Sequence, residues 1–573
     1  MDIFARSLTP RLPLVVICVC SALFLIVGYL FHLQVNLMPN FLHLGKKNFL
    51  RSERIASPRG NIIDKNGNLL ATNRPVTGIY WQGTGNKYLS SEQKKSIEEL
   101  QNRGISTSEF EKTLAYAEKK AQLLCLVHDA SFEQLSRVIE KFPCHANIIV
   151  DTHFKRHYPY KSIASHLVGY LSNPGINANG CMGLEHLFDE ALKGEPGQRL
   201  NTINSVGCHL ESQELKKALA GTTIETTLDL RLQLIAEELF PADSTGTFIV
   251  LDPQTGGLEA LVSRPDFDPN IFLGQLGGEQ WHALQEKKCF INRAFNACYP
   301  PASIFKLVTL SAALETKIID QTTSWYCNGH TTFAGRDYHC ARKEGHGSIN
   351  TPLALAKSCN IPFFDIAKKI KIDTLADYAQ RLGLGIKTAV LFPERSGLIP
   401  TCQWKRTVKK EPWWPGETLS AAIGQSYTLV TPLQVACMVS AFCEGYLVRP
   451  RILMVEPVVK QPLQLQKETI QFVKKCMHEV ITLGSAKILA RLKNFTLYGK
   501  SGTAQTSDLS KRNLGKQFVE HGWFAACFNY KNHKPLTLVI LIENAGSSQV
   551  AIGIAYEFFK RYEELVETKI SET

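Results

Sequence analysis

The sequence predicts an α+β protein whose sheet is built from strands far apart in the chain and which one N-terminal helix anchors to a membrane. Three observations support this prediction: an uncharged apolar run near the N-terminus, β-rich runs at both ends of the second half, and mostly helical sequence between those runs. The 573 residues, 44% of them hydrophobic, suffice for about three or four domains, or for two with large insertions, and exclude a disordered or fibrous chain.

The distribution of charge and cysteine excludes several function classes. The net charge is +12, but Lys and Arg are scattered along the chain rather than concentrated among aromatic residues, as a nucleic-acid binder would require. A positive surface beside an anionic membrane or an acidic polymer fits better. The sixteen cysteines contain no C-x-x-C pair, so neither a zinc ribbon nor a thioredoxin-type motif is predicted.

The apolar run, residues 12–33, contains no Lys, Arg, Asp or Glu. As a helix it would be about 33 Å long, enough to cross a bilayer core. A buried core helix and a cleaved signal peptide are the alternatives, but no small-residue cleavage site follows Phe31. Five basic residues between Lys46 and Arg59 outnumber the two before the run, but long domains translocate largely regardless of charge, so this pattern leaves the orientation open.

The body of the chain divides at about residues 225–245, where the composition changes. Before this boundary, Asn66-Gly67 predicts a hairpin within residues 57–71. Residues 90–140 predict two or three amphipathic helices, and residues 184–193 a short helix. After the boundary, alternating or continuous apolar runs predict four strands and a C-terminal helix, at residues 247–252, 258–262, 522–528, 536–542 and 551–566.

An S-x-x-K pattern occurs twice, at Ser91/Lys94 and at Ser303/Lys306. The first lies in a polar stretch typical of a solvated helix face. Prolines before Ser303 open an apolar helix and place this serine in its first turn, with Lys306 one turn further on the same face. A serine becomes a nucleophile when an adjacent base takes its proton, and a lysine whose pKa is lowered by burial can be that base. An N-terminal serine with a surface lysine remains the alternative for this pattern alone.

An S-x-N pattern also occurs twice, at Ser348/Asn350 and Ser358/Asn360. Thr351-Pro352 predicts a helix start, so Ser348 would be a turn residue before a short helix and Ser358 would follow its end. A loop after a helix, followed by apolar residues, suits a serine presented to a cleft. We therefore select Ser358 and Asn360.

The chain contains a single K-[ST]-G sequence, Lys500-Ser501-Gly502, followed by Thr503. It precedes two predicted strands and can itself lie on a strand. Gly502 would let another backbone approach closely, and its neighbours offer a cation and hydroxyls to a carboxylate.

The three patterns, in this order, form the motif set of penicillin-binding proteins. The chain resembles a class B penicillin-binding protein over nearly its whole length. Further segments that carry the resemblance are residues 59–64, 166–170, 183–185 and 251–256. Within the class, residues 413–418, 423–425 and 431–434 resemble the elongation-type enzyme, penicillin-binding protein 2. Two departures are Ser501 in place of the commoner Thr and Ser426 where Gly is expected.

The resemblance implies the penicillin-recognising serine transpeptidase fold, an antiparallel sheet flanked by helices, on an elongated α/β pedestal domain. It implies a cytoplasmic tail, a transmembrane helix, a pedestal (dimerisation-type) domain and a transpeptidase domain, at residues 1–11, 12–33, 50–235 and 245–567. The expected activity is peptidoglycan D,D-transpeptidation in cell elongation and shape maintenance, inhibited covalently by β-lactams. A division-type enzyme, a β-lactam sensor or hydrolase, and an inactive scaffold are the alternatives.

The resemblance also implies roles for the motif residues. Ser303 is the expected nucleophile and Lys306 its base, while Ser358 relays the proton and Asn360 orients the substrate amide. Lys500, Ser501 and Thr503 are expected to bind the terminal carboxylate, and the backbone N–H groups of Ser303 and Thr503 to form the oxyanion hole beside Gly502.

The expected partners follow from the same resemblance: D-Ala-D-Ala stem peptides, β-lactams, the membrane and a membrane glycosyltransferase of the elongation complex, with no nucleic acid. Because the substrate lies outside the membrane, the catalytic domain should lie outside the cytoplasm, on a single-pass anchor. No cofactor is expected for catalysis.

Three cysteines and a histidine between the first two motifs, Cys327, Cys340, His346 and Cys359, are a sufficient ligand set for tetrahedral zinc. Their spacing matches no zinc-finger pattern, but some elongation-type relatives have a metal-binding cluster in the same insert. A structural zinc is therefore predicted. A Cys327–Cys340 disulfide and free thiols are the alternatives.

Overall fold

The structure is a computed structural model that describes residues 12–102, 110–120, 122–142, 147–172, 178–203, 209–274, 276–507, 511 and 514–572. The predicted tail, residues 1–11, lies outside the described residues. The chain forms two compact units. The smaller unit comprises residues 1–59, 74–155 and 193–221, and the larger unit comprises residues 60–73, 156–192 and 222–573.

The smaller unit begins with the apolar helix Leu12–Phe31, which continues through a π-helical turn to Asn36. Among the described residues it is the one helix long and apolar enough to cross a membrane. It extends three residues beyond the predicted end at residue 33, because residues 34–36 continue the helical hydrogen bonding. The helix Met38–Phe49 follows it.

The rest of the smaller unit combines a three-stranded sheet and the strands paired with Leu69–Gln82 with three helices. Strands Leu50–Ile55, Gly197–Ile203 and His209–Lys216 form an antiparallel sheet. Where two or three amphipathic helices were predicted, the structure has three, Ser91–Asn102, Phe110–Lys119 and Phe132–Lys141, the last starting with a capping box between Ser131 and Gln134. The short strand Leu123–Val127, which pairs with the long strand Leu69–Gln82, was not predicted.

In the larger unit, the predicted hairpin forms around Asn66-Gly67. Ile62–Ile63 pairs antiparallel with the start of Leu69–Gln82 and parallel with Ile224–Glu225. The predicted helix over residues 184–193 is two helices that break at Phe188. The two helices are Gly183–Leu187 and Asp189–Lys193, and the other elements before residue 224 are Ser165–Val168, Leu171–Ser172 and Asn179–Gly180. The strand Ile148–His157, which pairs with Leu69–Gln82, lies mostly in the smaller unit.

A five-stranded antiparallel sheet lies at the centre of the larger unit. Its strands are β1 (Gly246–Leu251), β2 (Leu258–Arg264), β3 (Phe495–Ala504), β4 (His521–Tyr530) and β5 (Leu536–Ile542), in the spatial order β2-β1-β5-β4-β3. The four predicted strands are confirmed. Both faces of β1, β4 and β5 are buried, so helices cover the sheet on both sides.

The segment between β2 and β3 is mostly helical, as predicted. The α-helices of the larger unit after residue 224 are Leu230–Leu239, Gly278–Glu286, α1 (Lys306–Glu315), α2 (Thr351–Ala356), Ile361–Ala367, Ile372–Arg381, Cys402–Trp404, Pro415–Ala422, Pro432–Glu444, α3 (Lys467–Thr482) and α4 (Ser548–Glu572). Shorter helical turns are Pro269–Leu273, Ala302–Ile304, Lys405–Lys409, Lys487–Arg491 and Lys516–Phe518. Small strand pairs are Ser324–Cys327 with Gly347–Asn350, His330–Phe333 with Arg336–His339, and Tyr446–Val448 with Lys460–Pro462.

Candidate active site

Ser303 lies in the 3-10 turn Ala302–Ile304, directly before α1, rather than in the first turn of an α-helix as predicted. The turn is closed by the i→i+3 bond from Phe305 N to Ala302 O, 2.9 Å. Ala302 has a φ of +48°, in the left-handed region, and this conformation cannot continue an α-helix. The segment is held from two sides, because Ala302 N donates to Gly424 O (3.0 Å) and Trp523 Nε1 donates to Pro300 O (3.1 Å).

Ser358 and Asn360 follow the C-terminal end of α2, as predicted. Ser358 has a left-handed backbone (φ +54°), which turns its side chain away from the helix axis. The N-cap of α2 is Asn350 rather than Thr351, since its side chain accepts from Leu353 N. Ser348, expected in a turn, is an exposed strand residue. The extra strand residues come from pairing with Ser324–Cys327, which no local pattern revealed.

The Lys306 amine extends from α1 to this second motif. Its Nζ lies 2.7 Å from Asn360 Oδ1, 2.8 Å from the Ser358 carbonyl oxygen and 3.3 Å from Ser358 Oγ. The side chain is fully buried, which lowers the pKa of Lys306 to about 8, although the nearby thiols of Cys359 and Cys340 act in the opposite direction.

Lys500 approaches the same serine from the sheet. It lies on β3, and its Nζ is 3.2 Å from Ser358 Oγ and 3.0 Å from the Ser501 carbonyl oxygen. Burial, and then the positive charge of Lys306, lower the pKa of Lys500 well below its usual value. One hydroxyl oxygen thus lies within hydrogen-bonding distance of two buried amines. The three sequence motifs meet at this point.

Gly502 lets β3 approach the turn that carries Ser303. A Cβ at this position would lie 3.2 Å from the Pro301 carbonyl oxygen and 3.4 Å from Ile304 Cγ1. A side chain would therefore push the strand away from the first motif. The adjacent Thr503 is exposed, and its Oγ1 accepts a hydrogen bond from the backbone N–H of Ser548 (3.2 Å).

Two residues beside the third motif were missed by the sequence analysis. Ser485 Oγ lies 2.6 Å from Ser501 Oγ, and Ser485 N donates to the Ala356 carbonyl oxygen at the end of α2 (3.1 Å). Ser548 contributes its backbone N–H from the first residue of α4. No motif contains either residue, because only the tertiary fold brings them to β3.

The four predicted metal ligands also come together. The ligand atoms of Cys327, Cys340, His346 and Cys359 lie within 4.8 Å of one another. The three cysteines are buried free thiols, so the alternative Cys327–Cys340 disulfide is absent. The Cys340 and Cys359 sulfurs lie in hydrogen-bonding contact, 3.8 Å apart, and this contact lowers the pKa of Cys340 and raises that of Cys359.

This cluster is connected to the second motif. Asn360 Nδ2 donates to the His339 carbonyl oxygen (3.0 Å), directly before Cys340, while Asn360 Oδ1 accepts from Lys306. Both ends of the Asn360 amide are therefore bonded within the protein.

Comparison with known proteins agrees with these motifs. Residues 246–562 match the family model of the penicillin binding protein transpeptidase domain, and residues 54–226 match that of the penicillin-binding protein dimerisation domain. The peptidoglycan D,D-transpeptidase MrdA of Escherichia coli K12 is 27% identical, over 92% of this chain and 90% of the relative. MrdA of Haemophilus influenzae is 28% identical, over 90% of this chain and 86% of the relative.

Solved structures show the same fold. Penicillin-binding protein PBP2 of Helicobacter pylori, in a complex with MreC, has a TM-score of 0.78 and 26% identity, covering 90% of this chain and 99% of that one. A chain from a peptidoglycan synthase complex has a TM-score of 0.73 and 26% identity, covering 97% of this chain and 98% of that one. From the sequence motifs, their convergence in the fold and these matches, the chain belongs to the penicillin-binding protein transpeptidase family.

Proposed function

We propose that the chain is a membrane-anchored peptidoglycan D,D-transpeptidase of the elongation type. The observation that carries this proposal is the position of Ser358 Oγ, 3.3 Å from the Lys306 amine and 3.2 Å from the Lys500 amine. Buried amines with lowered pKa values can exchange protons with a hydroxyl near neutral pH. A structural core would not be expected to bury two like charges beside one serine.

In the first half of the reaction, Ser303 Oγ attacks the carbonyl carbon of the D-Ala-D-Ala peptide bond. The Lys306 amine takes the serine proton, and with a pKa of about 8 roughly a tenth of it is neutral at pH 7. Backbone N–H groups of Ser303 and Thr503 stabilise the oxyanion, each worth about 3–4 kcal/mol. Ser358 passes a proton to the departing amine, terminal D-alanine leaves, and the peptide remains as an ester on Ser303.

In the second half, an amine of a neighbouring stem peptide attacks the ester carbon. It loses a proton to the base, and Ser303 regains its hydroxyl as the new amide forms. A β-lactam acylates Ser303 as in the first half, but the second half does not occur, because the opened ring stays attached to the acyl group and blocks the incoming amine. Side chains and backbone groups supply every step, without a cofactor.

The terminal carboxylate of the substrate is assigned to Lys500 and the hydroxyls of Ser501 and Thr503. Asn360 was expected to orient the substrate amide. Since both ends of its side chain are bonded to Lys306 and His339, we propose instead that Asn360 primarily positions Lys306.

The test is covalent labelling with a fluorescent penicillin. Ser303→Ala should abolish labelling while the protein stays folded, whereas Ser91→Ala, which alters the other S-x-x-K pattern, should label fully. Labelling that persists in Ser303→Ala, or an adduct found on Ser91 by mass spectrometry, would contradict the assignment. A wild-type chain that does not label would support the scaffold alternative.

We further propose a structural zinc held by Cys327, Cys340, His346 and Cys359. Two sulfurs on a tetrahedral zinc are about 3.8 Å apart, since each lies about 2.3 Å from the metal. The Cys340 and Cys359 sulfurs are 3.8 Å apart, so the residues present fit the ion. Bound zinc would fix the hairpin that contacts Asn360.

Metal analysis of the purified chain tests this proposal. About one zinc per chain is expected, lost in Cys340→Ser and retained in the control Cys476→Ser, whose thiol is buried elsewhere. Loss of the ion should also lower the acylation rate. A metal-free chain with full acylation would contradict it.

The remaining proposals concern location and partners. We propose that the apolar helix anchors the chain in the cell membrane as a single-pass protein, with the transpeptidase domain (245–567) and the pedestal (50–235) outside the cytoplasm. A relative is known in a complex with MreC, and another belongs to a peptidoglycan synthase complex. By analogy, a membrane glycosyltransferase of the elongation complex is the proposed protein partner.

A further inference from the structure

We propose that the backbone N–H of Ser548 is a positioning group for the Thr503 hydroxyl and makes the exposed surface of β3 at Thr503 selective for a carboxylate. The inference rests on the proposed function, in which Thr503 contacts the terminal carboxylate of the substrate. It concerns a group that belongs to none of the three motifs.

The direction of one hydrogen bond is unambiguous. A backbone N–H can only donate, so the Thr503 oxygen must accept from Ser548 across 3.2 Å. A hydroxyl has a single proton, and among the described residues no protein acceptor receives the proton of Thr503. The Thr503 side chain is exposed. Because its oxygen already accepts from Ser548, Thr503 can donate its O–H to a group bound on its exposed side.

The donor itself is rigidly placed. Ser548 is buried (8% exposed) and begins the 25-residue helix α4. The turn before it is bonded to the start of β4, since Gly546 N donates to the Glu520 carbonyl oxygen and Asn544 N to His521 Nδ1. Gly522 pairs with Thr503 in the sheet, and a Cβ there would lie 2.6 Å from the Ser547 carbonyl oxygen. The turn therefore packs directly against the partner strand of β3.

The start of α4 also supports the second hydroxyl of the motif. Gln549 Nε2 donates to the Ser485 carbonyl oxygen (3.1 Å), and Ser485 Oγ lies 2.6 Å from Ser501 Oγ. Ser548 and Gln549, consecutive residues of α4, thus support the two hydroxyls of the motif. Ser548 bonds to Thr503 directly, and Gln549 contacts Ser501 through Ser485.

A surface of O–H and N–H donors suits a carboxylate, which only accepts hydrogen bonds. A carboxamide would place its own N–H₂ donors against the same groups and leave them unpaired. The N-terminal end of α4 adds a favourable partial charge for an anion. The Ser548 N–H is therefore expected to affect substrates with a free carboxylate more than their amides.

The experiment measures acylation of the full chain in detergent by a thioester acyl donor with a free carboxylate and by its carboxamide counterpart. Ser548→Pro removes the single donor at a helix position where proline is tolerated. It should slow acylation by the carboxylate about fivefold to tenfold, and by the carboxamide less than twofold. The control Val550→Pro, at an exposed position in the same first turn, should change neither rate.

A double-mutant cycle sharpens the test. Thr503→Val should show the same selective loss, and adding Ser548→Pro to it should cause no further loss, because both changes remove one interaction. Equal losses on the two substrates in Ser548→Pro, or additive losses in the double variant, would overturn the inference.

Hydrogen exchange keeps the inference testable if Ser548→Pro does not fold. The Ser548 amide should exchange faster in Thr503→Val and at the wild-type rate in Thr503→Ser, and an unchanged rate in Thr503→Val would overturn it. A wild-type chain that acylates equally with both substrates would contradict the carboxylate-binding role in the proposed function. A wild-type preference that Ser548→Pro leaves intact would contradict only the present inference.

Discussion

The larger unit buries charge in two contrasting ways. Arg156 and Glu185 form an ion pair of 2.7 Å with almost no exposure of either side chain. Tyr158 Oη also donates to Glu185, and Arg156 donates to the Gly60 carbonyl oxygen. Lys306 and Lys500 are just as deeply buried, but they have like charges and neutral acceptors only.

The Arg156–Glu185 pair is a site that stabilises the fold, whereas the Lys306 and Lys500 pair is a reactive site. Opposite charges compensate each other's desolvation, so the ion pair fixes the fold at little net cost. Two neighbouring ammonium groups cannot compensate each other's desolvation, and burial lowers the pKa values of both Lys306 and Lys500. Removing one charge of the Arg156–Glu185 pair should therefore destabilise the fold. Removing the charge of a buried lysine at the candidate site should instead lower the rate of acylation.

The largest effect is expected for Lys306→Met. Acylation by a fluorescent penicillin should fall by about a thousandfold or more, because the base is lost. The melting temperature should stay the same or rise, since an uncompensated buried charge disappears. Lys369→Met, at an exposed lysine, is the control and should change neither quantity. A strongly lowered melting temperature for Lys306→Met would break the comparison.

Arg156→Met should give the opposite result. Leaving Glu185 buried without its partner should cost about 3–5 kcal/mol in the free energy of unfolding, measured by denaturant titration in detergent. The acylation rate constant of the folded fraction should not change. The double variant Arg156→Met/Glu185→Leu should recover much of the stability, and failure to recover would argue that packing, not charge, matters there.

A third buried group, His166, makes the stability depend on pH. Burial lowers the pKa of His166 to about 4, and its Nε2 lies 2.7 Å from the Cys289 carbonyl oxygen. Because the folded pKa lies below the unfolded value, stability is complete above pH 6.5 and is lost as the pH falls. Between pH 8 and 5 this group should cost about 2 kcal/mol. His166→Gln should remove that part of the pH dependence, and an unchanged slope would contradict the assignment.

The smallest effect concerns the backbone alone. Ser426, where the family resemblance led us to expect glycine, has a φ of +65° and an exposed side chain. Ser426→Gly should relieve left-handed strain and raise the free energy of unfolding by about 0.5–1 kcal/mol. Thermal unfolding measures this, and a destabilised variant would mean that the serine hydroxyl makes a compensating contact.

Much of the fold could be predicted from local sequence. The strands β1, β2, β4 and β5 have continuous apolar runs bounded by turn residues, and such runs occur where helices cover both faces of a sheet. The anchor helix was evident because 22 residues contain no charge. The strand Leu123–Val127 was missed because it is short and lies between the second and third of three helical segments.

The residues of the candidate site that belong to sequence motifs could be predicted. Ser303, Ser358 and Lys500 were selected from spacing and context, and the fold brings their motifs together. The 3-10 turn at Ser303 was not predicted, because it depends on the left-handed Ala302 and its bond to Gly424. The contributions of Ser485 and Ser548 depend on contacts between segments distant in sequence, which no single-sequence pattern contains.

The strand order of the central sheet has a consequence for biogenesis. Gly246 at the start of β1 pairs with Ile542 at the end of β5, about 300 residues later in the chain. Loop closure over such a distance is slow, and β1 has no partner on that side until nearly the whole chain has been made. A chain exported from its N-terminus would thus reach its destination with one edge of the strongly apolar β1 unpaired. We expect the last part to be synthesised to complete the sheet, so that truncation even shortly before β5 yields an aggregation-prone chain rather than a weakened enzyme.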